Sequence, residues 1–254
     1  MSKPSSGYSP QHRLSAWFVH LFTASGAILG LFTLFMTFRG EYITAFWLMG
    51  AAIVIDSIDG TMARFIGVKQ VVPQIDGALL DNIVDYLNYV ITPAFFILAS
   101  NILPPHWELL GASIIVLASA YQFTQADAKT HDNFFKGFPS YWNLVVFYLF
   151  IGHLTVWVNF TIIITLAILI FVPMKYVYLT RLDNVTSNKF LKMLLILATI
   201  AYAIATLGLL ISYPDSNTLC VIVSWAFAVI YIVISLYRTF IPISAWEKAR
   251  QKKE

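Results

Sequence analysis

Residues 56–85 read DSIDGTMARFIGVKQVVPQIDGALLDNIVD, and five of the chain's 13 acidic residues fall there: Asp56, Asp59, Asp76, Asp81 and Asp85. The sequence turns apolar on both sides, with AFWLMGAAIVI at 45–55 and YLNYVITPAFFILA at 86–99. The acids therefore stand at the facing ends of two apolar segments joined by a short polar link. A carboxylate near the centre of a lipid bilayer costs about 2.5–3.5 kcal/mol on insertion scales. A cluster held at the ends of two such segments marks a functional site.

The rest of the chain repeats the apolar pattern. Of 254 residues, 59% are apolar and 11% charged, and the mean hydropathy is +0.74. A soluble domain carries roughly 25% charged residues, so this chain lacks the polar surface to be one. Disorder, which needs low hydrophobicity, is excluded by the same figures. A membrane-crossing helix needs about 20 apolar residues, and eight stretches qualify as expected spans: 14–38, 42–66, 77–99, 107–126, 140–156, 157–178, 190–212 and 218–238. The fold class expected is an all-α polytopic membrane protein, with residues 1–254 forming a single integral membrane domain. The first stretch runs far past Ala24-Ser25-Gly26, so it reads as an uncleaved helix rather than a signal peptide. Cys220 is the lone cysteine, which excludes an intrachain disulfide and a multi-cysteine metal site. A net charge of +3 is too slight to suggest nucleic acid as a partner.

Lys and Arg set the orientation. With a cytoplasmic N-terminus, every basic residue except Arg39 falls on the cytoplasmic side: Lys3, Arg13, Arg64, Lys69, Lys129, Lys136, Lys175, Arg181, Lys189, Lys192, Arg238, Lys248, Arg250, Lys252 and Lys253. Positive charge collects in cytoplasmic loops, so both termini are expected inside. The polar tails, 1–12 and 244–254, read as solvated segments near anionic headgroups.

Spacing gives the acids a joint role. At about 100° per residue, Asp56, Asp59, Gly60 and Ala63 share one helical face. Asp81 and Asp85 share a face of the next helix, with Gly77 one turn earlier. Four converging carboxylates repel strongly at low dielectric, and two hard divalent cations would neutralise them. Oxygen ligands without nearby His or Cys favour Mg²⁺, Mn²⁺ or Ca²⁺ over zinc. Paired ions of this kind clamp phosphoryl groups during displacement. The missing bulk at Gly60, Ala63 and Gly77 lets a large group lie against the backbone, and Arg64 offers a planar cation to phosphate. Acids, small residues and arginine together read as a site for a metal-bound pyrophosphate. Asp76 lies off the shared face and reads as a helix N-cap or a solvent-facing acid.

The residues resemble the signature of the CDP-alcohol phosphotransferase family, D-x-x-D-G-x-x-A-R, a spacer, then G-x-x-x-D-x-x-x-D. Here it stands as Asp56, Asp59, Gly60, Ala63 and Arg64, then Gly77, Asp81 and Asp85. The twelve-residue spacer from Phe65 to Asp76 is longer than the eight usual in the family, and is similar to that of the bacterial branch that uses choline. The segments His20–Gly26 and Lys136–Asn143 point the same way. The resemblance implies that the enzyme condenses CDP-diacylglycerol with choline to give phosphatidylcholine and CMP, aided by two divalent ions, Mn²⁺ or Mg²⁺. It implies that Asp56 and Asp81 bridge both ions, that Asp59 completes one site and Asp85 the other, and that Asp85 is the general base. Gly60, Ala63, Arg64 and Gly77 would hold CDP-diacylglycerol. The family also implies a homodimer, and a bacterial inner membrane with the active site facing the cytoplasm. Direct displacement is expected, since the cluster offers no separate nucleophile for a phosphatidyl-enzyme.

Choline is a quaternary ammonium, best held over aromatic faces. Tyr86 and Tyr89 beyond Asp85, and Tyr141 and Trp142 at the fifth span, are the candidates, although Trp and Tyr gather at membrane interfaces for other reasons too. A phosphorylated acceptor such as inositol phosphate or glycerol phosphate would need more basic residues than Arg64 and Lys69; serine remains an alternative alcohol. His20 and Thr23 could reach the cytidine or form an interhelical pair, and Gly26 with Gly30 reads as a packing face. His131 and His153 read as structural, while Lys175 and Arg181 could contact lipid phosphate. A cation-coupled transporter is the rival reading. Such proteins place charges near the midplane in repeated halves, whereas these acids crowd one face and no duplicate motif exists.

Overall fold

A computed structural model describes residues 7–128, 130, 134–178, 185–186, 188–215 and 217–241. Lys3, Lys129, His131, Arg181, the basic residues from Lys248 to Lys253, and parts of both polar tails lie outside the described residues. The chain is mostly helical and divides into two compact units, Met1–Val116 with Tyr141–Phe147, and Leu117–Ser140 with Tyr148–Glu254.

In the first unit, α1 (Pro10–Phe38) starts where Ser9 caps it and Pro10 supplies a preset φ. It packs on α2 (Tyr42–Ile66), which ends at Gly67 with φ 69°. His12 reaches across to the last turn of α2, its Nε2 2.8 Å from the Ile66 carbonyl oxygen. The link holds the single turn α3 (Val68–Val71), whose Val68, Val71 and Val72 bury against Ala16 and Val19. Asp76 then caps α4 (Gly77–Tyr86), its carboxylate accepting from Ala78 and Leu79 N–H at 3.0 and 3.1 Å. The N-cap reading of Asp76 is thus the one the structure adopts.

The helix continues through a π-turn, Leu87–Ile91, into α5 (Thr92–Ala99). Its inner face is pinned to α1. Asn88 donates to the Gly26 carbonyl at 3.0 Å. A Cβ on Gly26 would stand 2.7 Å from Val84, and one on Gly30 would stand 2.9 Å from Asn88 and Leu87. The Gly26–Gly30 stripe therefore packs helix on helix.

Among the described residues, five helices are long and apolar enough to cross a membrane: Pro10–Phe38, Tyr42–Ile66, Gly77–Ala99, Lys189–Ser212 and Thr218–Phe240. Leu14, Leu21, Leu31 and Phe38 on α1 point outward, more than 60% exposed, as lipid-facing side chains would. Three further stretches form shorter apolar helices: α6 (Glu108–Thr124), α7 (Trp142–Ile151) and α8 (Val156–Phe171). Here the observed ends differ from the expected 140–156 and 157–178. Pro139 and Ser140, the latter at φ 56°, delay α7, and His153 at φ 46° follows its end. With 10 residues α7 is about 15 Å long. Pro173 halts α8, and the residues beyond it become a strand.

That strand belongs to the second unit. β1 (Phe135–Lys136) and β2 (Lys175–Tyr176) pair antiparallel, Phe135 opposite Tyr176. Gly137 follows at φ 79°, where a Cβ would lie 2.2 Å from the Ile170 carbonyl oxygen, so glycine alone fits. Lys136 pairs with Asp127 at 2.6 Å. The Lys175 N–H bonds Thr239 Oγ1 at 2.8 Å, and its ammonium stands 5.7 Å over the Phe134 ring. His153 stacks beside Tyr213, a structural place. α9 (Lys189–Ser212) and α10 (Thr218–Phe240) pack together.

Candidate active site

Asp56 lies ten residues before the end of α2 and Asp85 eight after the start of α4. At about 1.5 Å per residue both stand roughly 12–15 Å in from the linked helix ends. The tight link through α3 and the capped start of α4 turn the two acidic faces toward each other. Oxygens of Asp56, Asp81 and Asp85, each half-buried, come within 4.8 Å of one another. Three oxygen donors so close suit a hard divalent cation such as Mg²⁺ or Mn²⁺ and lack the nitrogen or sulfur that zinc prefers.

Asp59 lines the same cleft but is not one of the three. It is buried, 4% exposed. Thr23 of α1 lines the cleft beside it, and Arg64 adds an attractive charge. Of the His20–Thr23 pair, Thr23 is among the residues that line the cleft. His20 is buried beside Gly77, where a Cβ would stand 3.3 Å from the imidazole Cε1. Closeness to His20 is thus one reason for glycine at position 77.

The other motif residues border the acids. Gly60 is half-buried, and a Cβ there would stand 3.4 Å from a guanidinium nitrogen of Arg64. Arg64 is exposed and donates to Thr61 Oγ1 at 3.0 Å. Ala63 packs against the Ala16–Val19–Val68 cluster, so its small size also serves helix packing.

The aromatic candidates separate. Tyr89 is buried and donates its hydroxyl to Asp56 Oδ2 at 2.8 Å. Its ring centroid lies 6.1 Å from that of half-buried Tyr141. Tyr86 donates to the Val116 carbonyl at 2.9 Å. Trp142 has 0% exposure. A cation cage needs an open ring face, which half-buried Tyr141 offers more of than buried Trp142 or Tyr89. Beyond the motif and the aromatic candidates, the polar side chains of Asn88 and Thr23 also line the cleft. A polar Asn88 within the apolar run YLNYVI, on the stripe of Asp81, is the signal by which sequence could have marked it.

Comparison with known proteins follows the same residues. The model of the CDP-alcohol phosphatidyltransferase family matches residues 18–139, the stretch that contains the four aspartates. The chain is 48% identical over 230 residues to a phosphatidylcholine synthase of Legionella pneumophila subsp. pneumophila, covering 90% of each chain. It is 50% identical over 217 residues to the phosphatidylcholine synthase of Legionella bozemanae, covering 85% of this chain and 100% of that one. A phosphatidylcholine synthase of Pseudomonas aeruginosa is 35% identical over 243 residues, 96% of each chain.

Proposed function

The chain belongs to the CDP-alcohol phosphatidyltransferase family and is an enzyme, and we propose on that premise that it transfers the phosphatidyl group of CDP-diacylglycerol to choline. The observation that carries the reading is the meeting of Asp56, Asp81 and Asp85 within 4.8 Å across α2 and α4. Similarity to phosphatidylcholine synthases over 85–90% of this chain supports choline as the acceptor.

Asp56, Asp81 and Asp85, with Asp59 beside them, would hold two divalent ions, Mn²⁺ or Mg²⁺. Bound there, such ions neutralise the pyrophosphate and favour departure of CMP. Arg64, Gly60, Ala63 and Gly77 receive the nucleotide diphosphate, the arginine supplying a forked cation and the small residues room. Asp85 takes the proton of the choline hydroxyl as its oxygen attacks the phosphatidyl phosphorus. The new P–O bond forms as the pyrophosphate P–O bond breaks, and CMP leaves. Half-buried Tyr141 offers its aromatic face to the quaternary ammonium, and Tyr86 and Trp142 are the further aromatic candidates.

The whole chain acts as one membrane domain of the bacterial inner membrane, with eight crossings, both termini cytoplasmic and the cleft opening to the cytoplasm. The distribution of Lys and Arg supports this orientation. The shortness of α7 is compatible with a crossing because the residues before it, Gly137–Ser140, are buried; non-helical backbone is tolerated at membrane depth where protein covers it. A homodimer is the proposed assembly. An acceptor screen with purified protein tests the function: choline should drive CMP release from CDP-diacylglycerol, while serine, inositol phosphate and glycerol phosphate should not. Release driven by one of those three and not by choline would reassign the acceptor.

A further inference from the structure

The π-turn in the third long helix has a local cause. Pro93 has no N–H, so the Tyr89 carbonyl four residues earlier loses its ordinary helical donor. The Thr92 N–H bonds back five residues to the Leu87 carbonyl. Its hydroxyl takes the Asn88 carbonyl at 2.8 Å. Asn88, Tyr89 and Val90 are consecutively buried, at 5%, 8% and 0% exposure, where a regular lipid-facing helix would turn one of them outward. Such turns are frequent at functional sites. This one holds the Asn88 amide on the Gly26 carbonyl at 3.0 Å and the Tyr89 hydroxyl on Asp56 Oδ2 at 2.8 Å.

Packing does not require that hydroxyl, since a phenylalanine would fill the same apolar space. A buried phenol needs an acceptor, and the one it has is a member of the three-carboxylate group. One hydrogen bond to Oδ2 restricts rotation of the Asp56 carboxylate and keeps it aimed at Asp81 and Asp85. It also offsets part of the repulsion among the three acids. Partners of this kind orient ligands and tune ion affinity.

We propose that Tyr89 is a positioning residue, presented by the Pro93 π-turn, whose hydroxyl holds Asp56 in the orientation that binds a divalent cation. The inference rests on the metal-site reading above. It assigns the hydroxyl a task separate from any contact between the ring and choline.

The test is Mn²⁺ titration of the purified protein without substrates, read by electron paramagnetic resonance, for wild type, Tyr89→Phe and Asp81→Asn. Tyr89→Phe keeps the ring and is expected to weaken Mn²⁺ binding about tenfold, while the KM for choline at saturating Mn²⁺ stays within about twofold. In native membranes, where no purified fold is needed, the Mn²⁺ concentration for half-maximal CMP release should rise by the same factor. Mn²⁺ affinity unchanged in Tyr89→Phe but lost in Asp81→Asn overturns the inference alone. Affinity unchanged in both overturns it together with the metal-site reading. A raised choline KM with unchanged Mn²⁺ affinity gives the hydroxyl to the acceptor instead, and also overturns it.

Discussion

The paired ends of α2 and α4 and the paired helices α9 and α10 are both apolar helix pairs, yet they are built by different means. Between Asp56 and Asp85 the chain places acids, small residues and an arginine on facing surfaces. Between Lys192 and Asp215 α9 carries no charge, and Arg238 is the one charged residue of α10. There the contacts are shape and stacking: Tyr202 lies 4.3 Å from Phe227, and a Cβ on Gly208 would meet Cys220 Sγ at 2.7 Å. The first pair accepts the cost of half-buried like charges, which a cationic ligand or protons can relieve. The second lowers its energy by packing alone. Substitutions should therefore separate chemistry from stability according to the pair they strike.

The largest effect is expected from Asp85→Asn. Loss of a general base costs about 10²–10⁴-fold in turnover. The variant should fold and still bind the nucleotide, which equilibrium binding of a CDP-diacylglycerol analogue would measure; near-normal turnover would remove Asp85 from the base role. Next, Gly26→Val would drive a side chain into Val84 and push α1 from α4. Overpacking of this kind costs about 1–3 kcal/mol, read as a lower unfolding temperature together with reduced activity, because the same contact aligns the cleft. Tyr141→Ala should raise the KM for choline several-fold with little change in the KM for CDP-diacylglycerol, since a cation–π contact is worth about 0.5–2 kcal/mol. The smallest effect belongs to α10. Trp225 is 60% exposed, and Trp225→Leu should leave stability within about 0.5 kcal/mol and activity unchanged.

The two pairs also differed in how readable they were. Apolar length and polar breaks located α9 and α10 to within two residues, because uninterrupted hydrophobicity is a strong signal. The three-carboxylate meeting of Asp56, Asp81 and Asp85 followed from four-residue periodicity and a short link. Asp59, expected among the ligands, lines the same cleft as Thr23 of α1 but stands outside the three-oxygen group. The π-turn was not legible in the spacing: periodicity assumes a constant rise and rotation, and a five-residue turn breaks both. Pro93 within an apolar run was the one clue to it. The buried state of Trp142 was hidden for a related reason, since aromatic residues near a membrane interface look alike whether they face lipid, cleft or core. The short α7 depended on Pro139 and on positive φ at Ser140 and His153, which side-chain identity does not announce for Ser and His.

CMP release by chelator-stripped, purified protein, with Mn²⁺ then titrated back, bears most directly on the carboxylate cleft. Wild type is expected to release no CMP from CDP-diacylglycerol and choline until the ion returns, and then to do so saturably, whereas Asp81→Asn should stay silent at every Mn²⁺ concentration. Choline-dependent release that survives stripping, or that Asp81→Asn carries out like wild type, would contradict the account.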